Sequence, residues 1–166
     1  MIESLRDTPE TLAGLSELLI EATADGFSVG FLHPLDRGRA DPFWRESLAE
    51  AAAGSRVVLG LRDGARLVGT VTLVLIQKEN QPHRAEIQKL LVAGSHRRRG
   101  VGRRLMAEAE SLAARAGRTL LVLDTATAEA AKLYEATGWN RTGDIPDFAL
   151  LPNGELCSTA VYWKRV

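Results

Sequence analysis

One junction in the chain limits the fold more than any other stretch. RAEIQKLLV (84–92) is rich in residues that suit a strand, and it runs almost directly into HRRRGVGRRLM (96–106). From Val101 onward the pattern is helical, with Val101, Leu105, Ala109 and Leu112 on one face to about Arg115 and Gly117 as the stop. A strand that enters a helix through Arg97-x-x-Gly100-x-Gly102 leaves the first helical N–H groups unpaired, with the positive end of the helix dipole behind them. Glycine removes the Cβ that would hold a ligand away from the backbone. Arginine adds charge-assisted hydrogen bonds to phosphate oxygens. The junction is therefore an expected anion site, and its small size suits a pyrophosphate rather than a long polyanion. The alternative is a solvated, basic helix start. No Gly-Lys-Ser/Thr follows, and the three-glycine dinucleotide fingerprint with its later acidic residue is absent.

The rest of the chain does not behave as a nucleic-acid binder. Lys and Arg total 21, as do Asp and Glu, so the basic run is local and is balanced elsewhere. No aromatics interleave with the arginines to stack on bases. The single cysteine, Cys157, permits no internal disulfide. Neither the opening MIESLRDTPETL nor any later stretch has the apolar run of a signal peptide or membrane span. The expected setting is the cytoplasm, with no membrane or nucleic-acid partner. The three histidines and Cys157 have no metal-ligand spacing, so no metal is expected. A length of 166 residues without repeats or linkers points to one domain spanning 1–166.

The element pattern alternates between the two periods. Thr8 and Pro9 start a helix that Gly26 stops. FSVGFLHPLDRG reads as an exposed loop, and a second helix is expected from about Pro42 to Ala53. RVVLGLR and RLVGTVTLVLI, joined by Asp63-Gly64-Ala65, read as a β-hairpin. QKENQPH is a polar loop before the 84–92 strand. TLLVLDT is a continuous apolar run, expected to be a strand buried on both faces. AEAAKLYEATGW is a helix ended by Gly138, and weak strands are expected near NRTG and in STAVYWKRV.

Arg97-x-x-Gly100-x-Gly102 after a strand resembles the acetyl-CoA motif of the GNAT family of N-acetyltransferases. AEAAKLYEATGW resembles that family's second signature, a helix with Tyr before Glu-x-x-Gly-aromatic. Together they cover Arg84–Trp139. DGFSVGFLHPLD, RAEIQKLLV and GDIPDFALLPNGELCSTAVYWK extend the likeness to a toxin-resistance branch. The resemblance implies an α/β GNAT fold: a central mixed, mostly antiparallel sheet flanked by helices, with a splayed acetyl-CoA-binding strand pair. It implies acetyl-CoA as cofactor, held by Leu90, Leu91 and Val92 of the strand and by Arg97, Arg98, Arg99, Gly100, Val101, Gly102, Arg103 and Arg104 of the junction. An N–H of Leu91 or Val92 would also donate to the thioester oxygen.

Acetyl transfer to an amine requires a proton acceptor for the ammonium and a proton donor for the leaving thiolate. The resemblance places Tyr134 as the acid, a phenol that stays protonated at neutral pH; the alternative is a ring packed in the core. It places Glu86 and Asp124 as base candidates, carboxylates in strands otherwise suited to burial. Glu86 has the alternative of pairing with Arg84, and Asp124 that of capping the next helix. Phe27, Phe31, Phe148 and Trp44 are candidate walls of an acceptor pocket, with Glu86 and Asp124 drawing in the ammonium, although core packing is the ordinary role of such aromatics. His33 is a loop residue with a weaker claim to substrate contact, and His83 and His96 are expected at the surface. The expected reaction is direct acetylation of a small amino-acid-like, antibiotic or toxin amine. The alternatives are a protein or peptide acetyltransferase and a non-catalytic acyl-CoA-binding sensor. A homodimer is a possible assembly.

Overall fold

The computed structural model describes residues 1–166. In chain order it contains β1 (Ile2–Ser4), α1 (Pro9–Ala24), α2 (Arg37–Ala52), β2 (Arg56–Asp63), β3 (Arg66–Leu75), β4 (Arg84–Val92), a 3-10 turn (Gly94–His96), α3 (Val101–Arg115), β5 (Leu120–Thr125), α4 (Ala128–Ala136), β6 (Asn140–Leu150) and β7 (Leu156–Arg165). The strands form one seven-stranded sheet ordered β1-β2-β3-β4-β5-β7-β6. Every pair is antiparallel except β4–β5. Helices α1 and α2 pack on each other and on β2–β4, and α3 covers the same strands from the opposite face. No helix is long and apolar enough to cross a membrane.

Helix α1 starts as expected: the Thr8 hydroxyl accepts from the Thr11 N–H at 3.2 Å and Pro9 occupies the first turn. Helix α2 begins at Arg37 rather than at Pro42. Asp36 is the true cap, its carboxylate accepting from the Arg39 N–H at 3.1 Å, and Pro42 lies inside the helix. The proline forfeits one ladder hydrogen bond, but Ala40, Trp44 and Leu48 still bury one continuous face. The β2–β3 hairpin turns at Gly64-Ala65, as its sequence requires.

Four strands differ from the sequence reading. Strand β5 is not buried on both faces: Leu121 and Leu123 are in the core, Leu120 and Val122 are half-buried, and Asp124 is exposed. The end of the strand, at Asp124 and Thr125, borders an opening described below. The terminal strands are much longer than expected and form one hairpin. Gly143, Pro146 and Asp147 hide the alternation of β6, whose register slips at 141–143 and again at 145–149. Proline is tolerated there because β6 is the sheet edge. The short β1 strand carries no visible pattern of its own.

Close approach of α3 to the sheet depends on Gly69 in β3. A Cβ there would lie 2.7 Å from Val101 Cγ1 and 2.9 Å from Leu105 Cδ1. Gly69→Ala is expected to lower stability by about 1–3 kcal/mol, the usual cost of overpacking. Urea denaturation measures this. An unchanged midpoint would show that α3 does not depend on this contact.

Candidate active site

The parallel β4–β5 pair is short. Arg84, Ala85 and Glu86 pair with Leu120, Leu121 and Val122, and no register pair follows. Beyond that point the strands part, so the β5-facing edge of β4 has no strand partner from Ile87 onward. A cavity of about 1130 Å³ opens in the split. It is walled by Ile87–Val92 of β4, by Asp124–Thr127 at the end of β5, by α4 and by the start of α3. The loop after α1 and the end of β6 complete it.

At the α3 end, the first helical hydrogen bond runs from the Arg104 N–H to the Gly100 carbonyl at 3.0 Å. The amides of Val101, Gly102 and Arg103 are left without a backbone acceptor, and no side chain caps the helix. Gly100 has φ +79° and Arg98 φ +58°, so the turn folds through left-handed conformations that bring these amides to the cavity. A Cβ on Gly102 would stand 3.3 Å from Leu133 Cδ2 and 3.9 Å from Leu90 and Val92, so glycine keeps the groove between α3, α4 and β4 open. Three free amides, a bare helix end and an unpaired strand edge fit a ligand that carries both a pyrophosphate and amide groups.

The arginines do not act alike. Arg98 and Arg103 line the cavity, whereas Arg99 and Arg104 point away from it into solvent. Arg97 lines the cavity but is already engaged. Its Nε donates to the Val92 carbonyl at 3.1 Å, its guanidinium pairs with Asp25 at 2.6 Å, and it covers the Phe27 ring at 4.8 Å. It therefore ties the junction to the end of α1. The Gly94 N–H strengthens the same link by donating to Glu21 at 2.8 Å. Leu90, Leu91, Val92, Gly100, Val101 and Gly102 all border the cavity.

Tyr134 reaches the cavity from α4. Its ring is buried against Trp139 and Tyr162, with centroids 5.9 and 5.7 Å away. Burial pushes its phenol well above the usual value, and the charge of Asp124 and the neighbouring Tyr162 raise it further. The ring is thus packed in the core, and the residue borders the cavity. Asp124 stands in the same wall, and its carboxylate accepts from the Thr159 hydroxyl at 2.7 Å. It does not cap α4; Thr127 is the cap residue, with its N–H donating to Thr125 Oγ1.

Glu86 is not brought to the cavity. It lies in the last paired step of β4, half-buried, bonded to Arg84 at 3.1 Å and accepting from Gln88 at 3.3 Å. Phe27, Phe31 and Phe148 do line the cavity, but Trp44 is fully buried in the core. His96, expected at the surface, is half-buried at the cavity rim with Nε2 3.2 Å from Asp63. His33 and His83 are exposed. Sequence reasoning missed Lys89, which lines the cavity from an irregular step of β4. The signal was its place in a strand that had to break its pairing.

Residues 17–139 match the model of the Acetyltransferase (GNAT) family. The chain belongs to that family. It is an acyltransferase, and acetyl-CoA, the cosubstrate of the GNAT family, is its acetyl donor. Its fold is similar to that of the ribosomal-protein-alanine N-acetyltransferase from Brucella melitensis, at 19% identity and TM-score 0.84, covering 100% of this chain and 99% of that one. It is also similar to the phosphinothricin acetyltransferase from Sinorhizobium meliloti, solved in complex with AcCoA, at 13% identity, TM-score 0.83 and coverage of 100% and 88%. For an aminoglycoside 6'-acetyltransferase type Ii the values are 22%, 0.73, 99% and 96%. At these identities the likeness is one of fold, and it confirms the mixed, mostly antiparallel GNAT sheet with its parted strands.

Acetyl-CoA is expected to raise the melting temperature of the protein by ligand linkage. Gly102→Glu places a carboxylate over the free amides. The nearest obstacle to the new side chain is the flexible end of Leu133. The variant should fold, as circular dichroism would report, and lose the acetyl-CoA shift. A folded variant with an undiminished shift would remove the α3 start from cofactor binding.

Proposed function

We propose that the protein transfers the acetyl group of acetyl-CoA directly to the amino group of a small, amino-acid-like amine of the antibiotic or toxin class. The observation that carries this reading is the sharing of one cavity by three groups of residues. These are the amide-rich start of α3, the pair Tyr134 and Asp124, and the aromatic side chains Phe27, Phe31 and Phe148. Segments 25–36, 84–92 and 143–164 resemble the tabtoxin resistance protein, which implies tabtoxinine-β-lactam or an analogue as acceptor.

When bound, acetyl-CoA supplies a thioester carbonyl for the amine to attack. The amides of Val101, Gly102 and Arg103, with Arg98 and Arg103 side chains, hold the pyrophosphate. The unpaired edge of β4 at Leu90–Val92 hydrogen-bonds the pantetheine arm. Asp124 orients the acceptor ammonium and takes its proton, directly or through water, while Thr159 fixes the carboxylate. Tyr134 holds the proton destined for the departing sulfur. Its raised pKa keeps the phenol protonated through neutral and mildly alkaline pH. Glu86, next to the split but outside the cavity, is a second carboxylate whose charge bears on the acceptor from behind the wall.

A second reading, a protein or peptide acceptor, is favoured by the name of the Brucella melitensis neighbour. A panel of amino-acid-like β-lactams, other small amines and basic peptides, assayed by thiol release from acetyl-CoA, separates the two. Acetylation of the peptides alone would overturn the small-amine reading. No thiol release with any acceptor would favour an acyl-CoA-binding sensor.

Two substitutions test the roles. Tyr134→Phe is expected to keep the fold and acetyl-CoA affinity while lowering kcat on the order of 10²–10⁴-fold, the usual worth of a general acid. Asp124→Asn should lower turnover more than Glu86→Gln, because only Asp124 stands in the cavity. Steady-state kinetics with a small-amine acceptor measures both. The reverse ranking of the carboxylates would return the base to Glu86.

A further inference from the structure

Lys89 is the unexplained cation of the cavity. Against Val71 of β3, the strand β4 presents two residues, Lys89 and Leu90, since Thr70 pairs with Leu91 and Thr72 with Gln88. This bulge holds Lys89 at φ +51°, a left-handed conformation uncommon outside glycine. Non-glycine residues persist there when the surroundings impose it, and such strain gathers at functional sites.

The bulge carries the side chain into the cavity wall near Gly30, where a Cβ would come within 3.5 Å of Lys89 Nζ. Lys89 Nζ lies 5.4 Å from the centroid of the Phe43 ring. Phe43 meets Phe31 edge-on at 5.3 Å, and Arg39 lies 5.8 Å from the centroid of the Phe31 ring. Two cations thus lie on one aromatic pair, Lys89 on Phe43 and Arg39 on Phe31.

Burial pushes the Lys89 ammonium below its ordinary pKa, Asp124 opposes that shift, and Arg56 adds to it. Lys89 has no carboxylate within ion-pair distance, whereas Arg97, Arg84 and Lys164 each have one. Asp124 is bonded to Thr159 instead. A cation withdrawn from water and left without an anion is costly unless a ligand completes it.

We infer that Lys89 binds a carboxylate of the acceptor, so the acceptor class is an amino acid or amino-acid analogue rather than a simple amine. This rests on the reading of the cavity as an acetyltransferase site. The anion meets Lys89 while the amino group is left to Asp124. A zwitterion is then held by both its charges, and Phe31 supports the apolar part between them. Lys89 is a specificity-determining residue in this scheme and takes no part in proton transfer.

The test is a binding measurement that does not require turnover. Calorimetry in the presence of CoA compares N-acetylglycine, N-acetylmethionine, N-acetylphenylalanine and Nα-acetyllysine with their carboxamides. For at least one pair the wild-type protein should bind the acid about tenfold to a hundredfold more tightly, the effect expected of a charge-assisted hydrogen bond. Lys89→Met, which keeps the aliphatic stem, should abolish the preference and leave CoA affinity unchanged. Lys89→Arg should restore most of it. Equal affinity within every pair, no binding by any acid, or a preference that survives Lys89→Met would each overturn the inference. A kcat loss in Lys89→Met with the preference intact would make Lys89 a proton carrier and also overturn it. Acid-selective binding without acetylation of any amine would instead refute the small-amine acetyltransferase reading and leave the anion site standing.

Discussion

The site depends on β4 and β5 ceasing to pair after Glu86 and Val122. Parallel strands that remained paired would seal the sheet and bring the backbone of Gln88 beside that of Asp124. Parting them leaves N–H and C=O groups of β4 without partners, which is unfavourable unless water or a ligand meets them. Open volume in the middle of the sheet supplies that access, and the same opening lets side chains from β5, α3 and α4 converge. The β4 bulge at Lys89 and Leu90 re-aims the strand just past this point.

A split sheet needs bracing on both sides, and the polar contacts around the cavity supply it. On one side Arg97 joins Val92, Asp25 and Phe27, and Glu21 holds the Gly94 amide, so the turn before α3 is fixed to the end of α1. On the other, Glu110 of α3 accepts from Trp139 Nε1 at 2.9 Å and pairs with Lys164 at 2.7 Å. Lys164 also donates to the Thr137 carbonyl, and the Tyr162 hydroxyl donates to Glu135. Helix α4 is therefore tied to β7 by its far end, which holds Tyr134 at the cavity. Arg97, Glu110 and Lys164 are charged residues held by partners within the protein, close to a cavity that other charges face.

Division among the arginines explains why the basic run was ambiguous as a sequence. Five arginines in an eight-residue window look alike in composition, yet one is a brace, two face the cavity and two face solvent. A left-handed step at Arg98 lies between Arg97 and Arg99, and the helical rotation between successive residues of α3 separates Arg103 from Arg104. The carboxylates were sorted in the same way. Glu86 and Asp124 looked equivalent, each a charge in an apolar strand. Only Asp124 lies beyond the last paired step, so it alone reaches the cavity while Glu86 is held by Arg84.

Local signals determined much of the fold from sequence. The Thr8-Pro9 start, the Gly64 hairpin turn, the Gly100-x-Gly102 helix entry and the apolar faces of α1 and α3 are short-range effects of capping, backbone freedom and periodicity. They placed the glycine-marked helix entry with its free amides and, with the Tyr134 helix, carried the family resemblance. Tertiary structure decided what depends on which backbone groups stay unpaired and which side chains meet across the sheet. It moved the start of α2 from Pro42 to Asp36 and joined two weak strands into one long hairpin around Gly143 and Pro146. It also left one face of β5 half open. Lys89 entered the cavity for the same reason, since a strand pattern cannot reveal a bulge whose position is set by its neighbour's register. Periodicity is written along the chain, whereas the split between β4 and β5 results from competition among strands far apart in sequence, and only the assembled sheet resolves it.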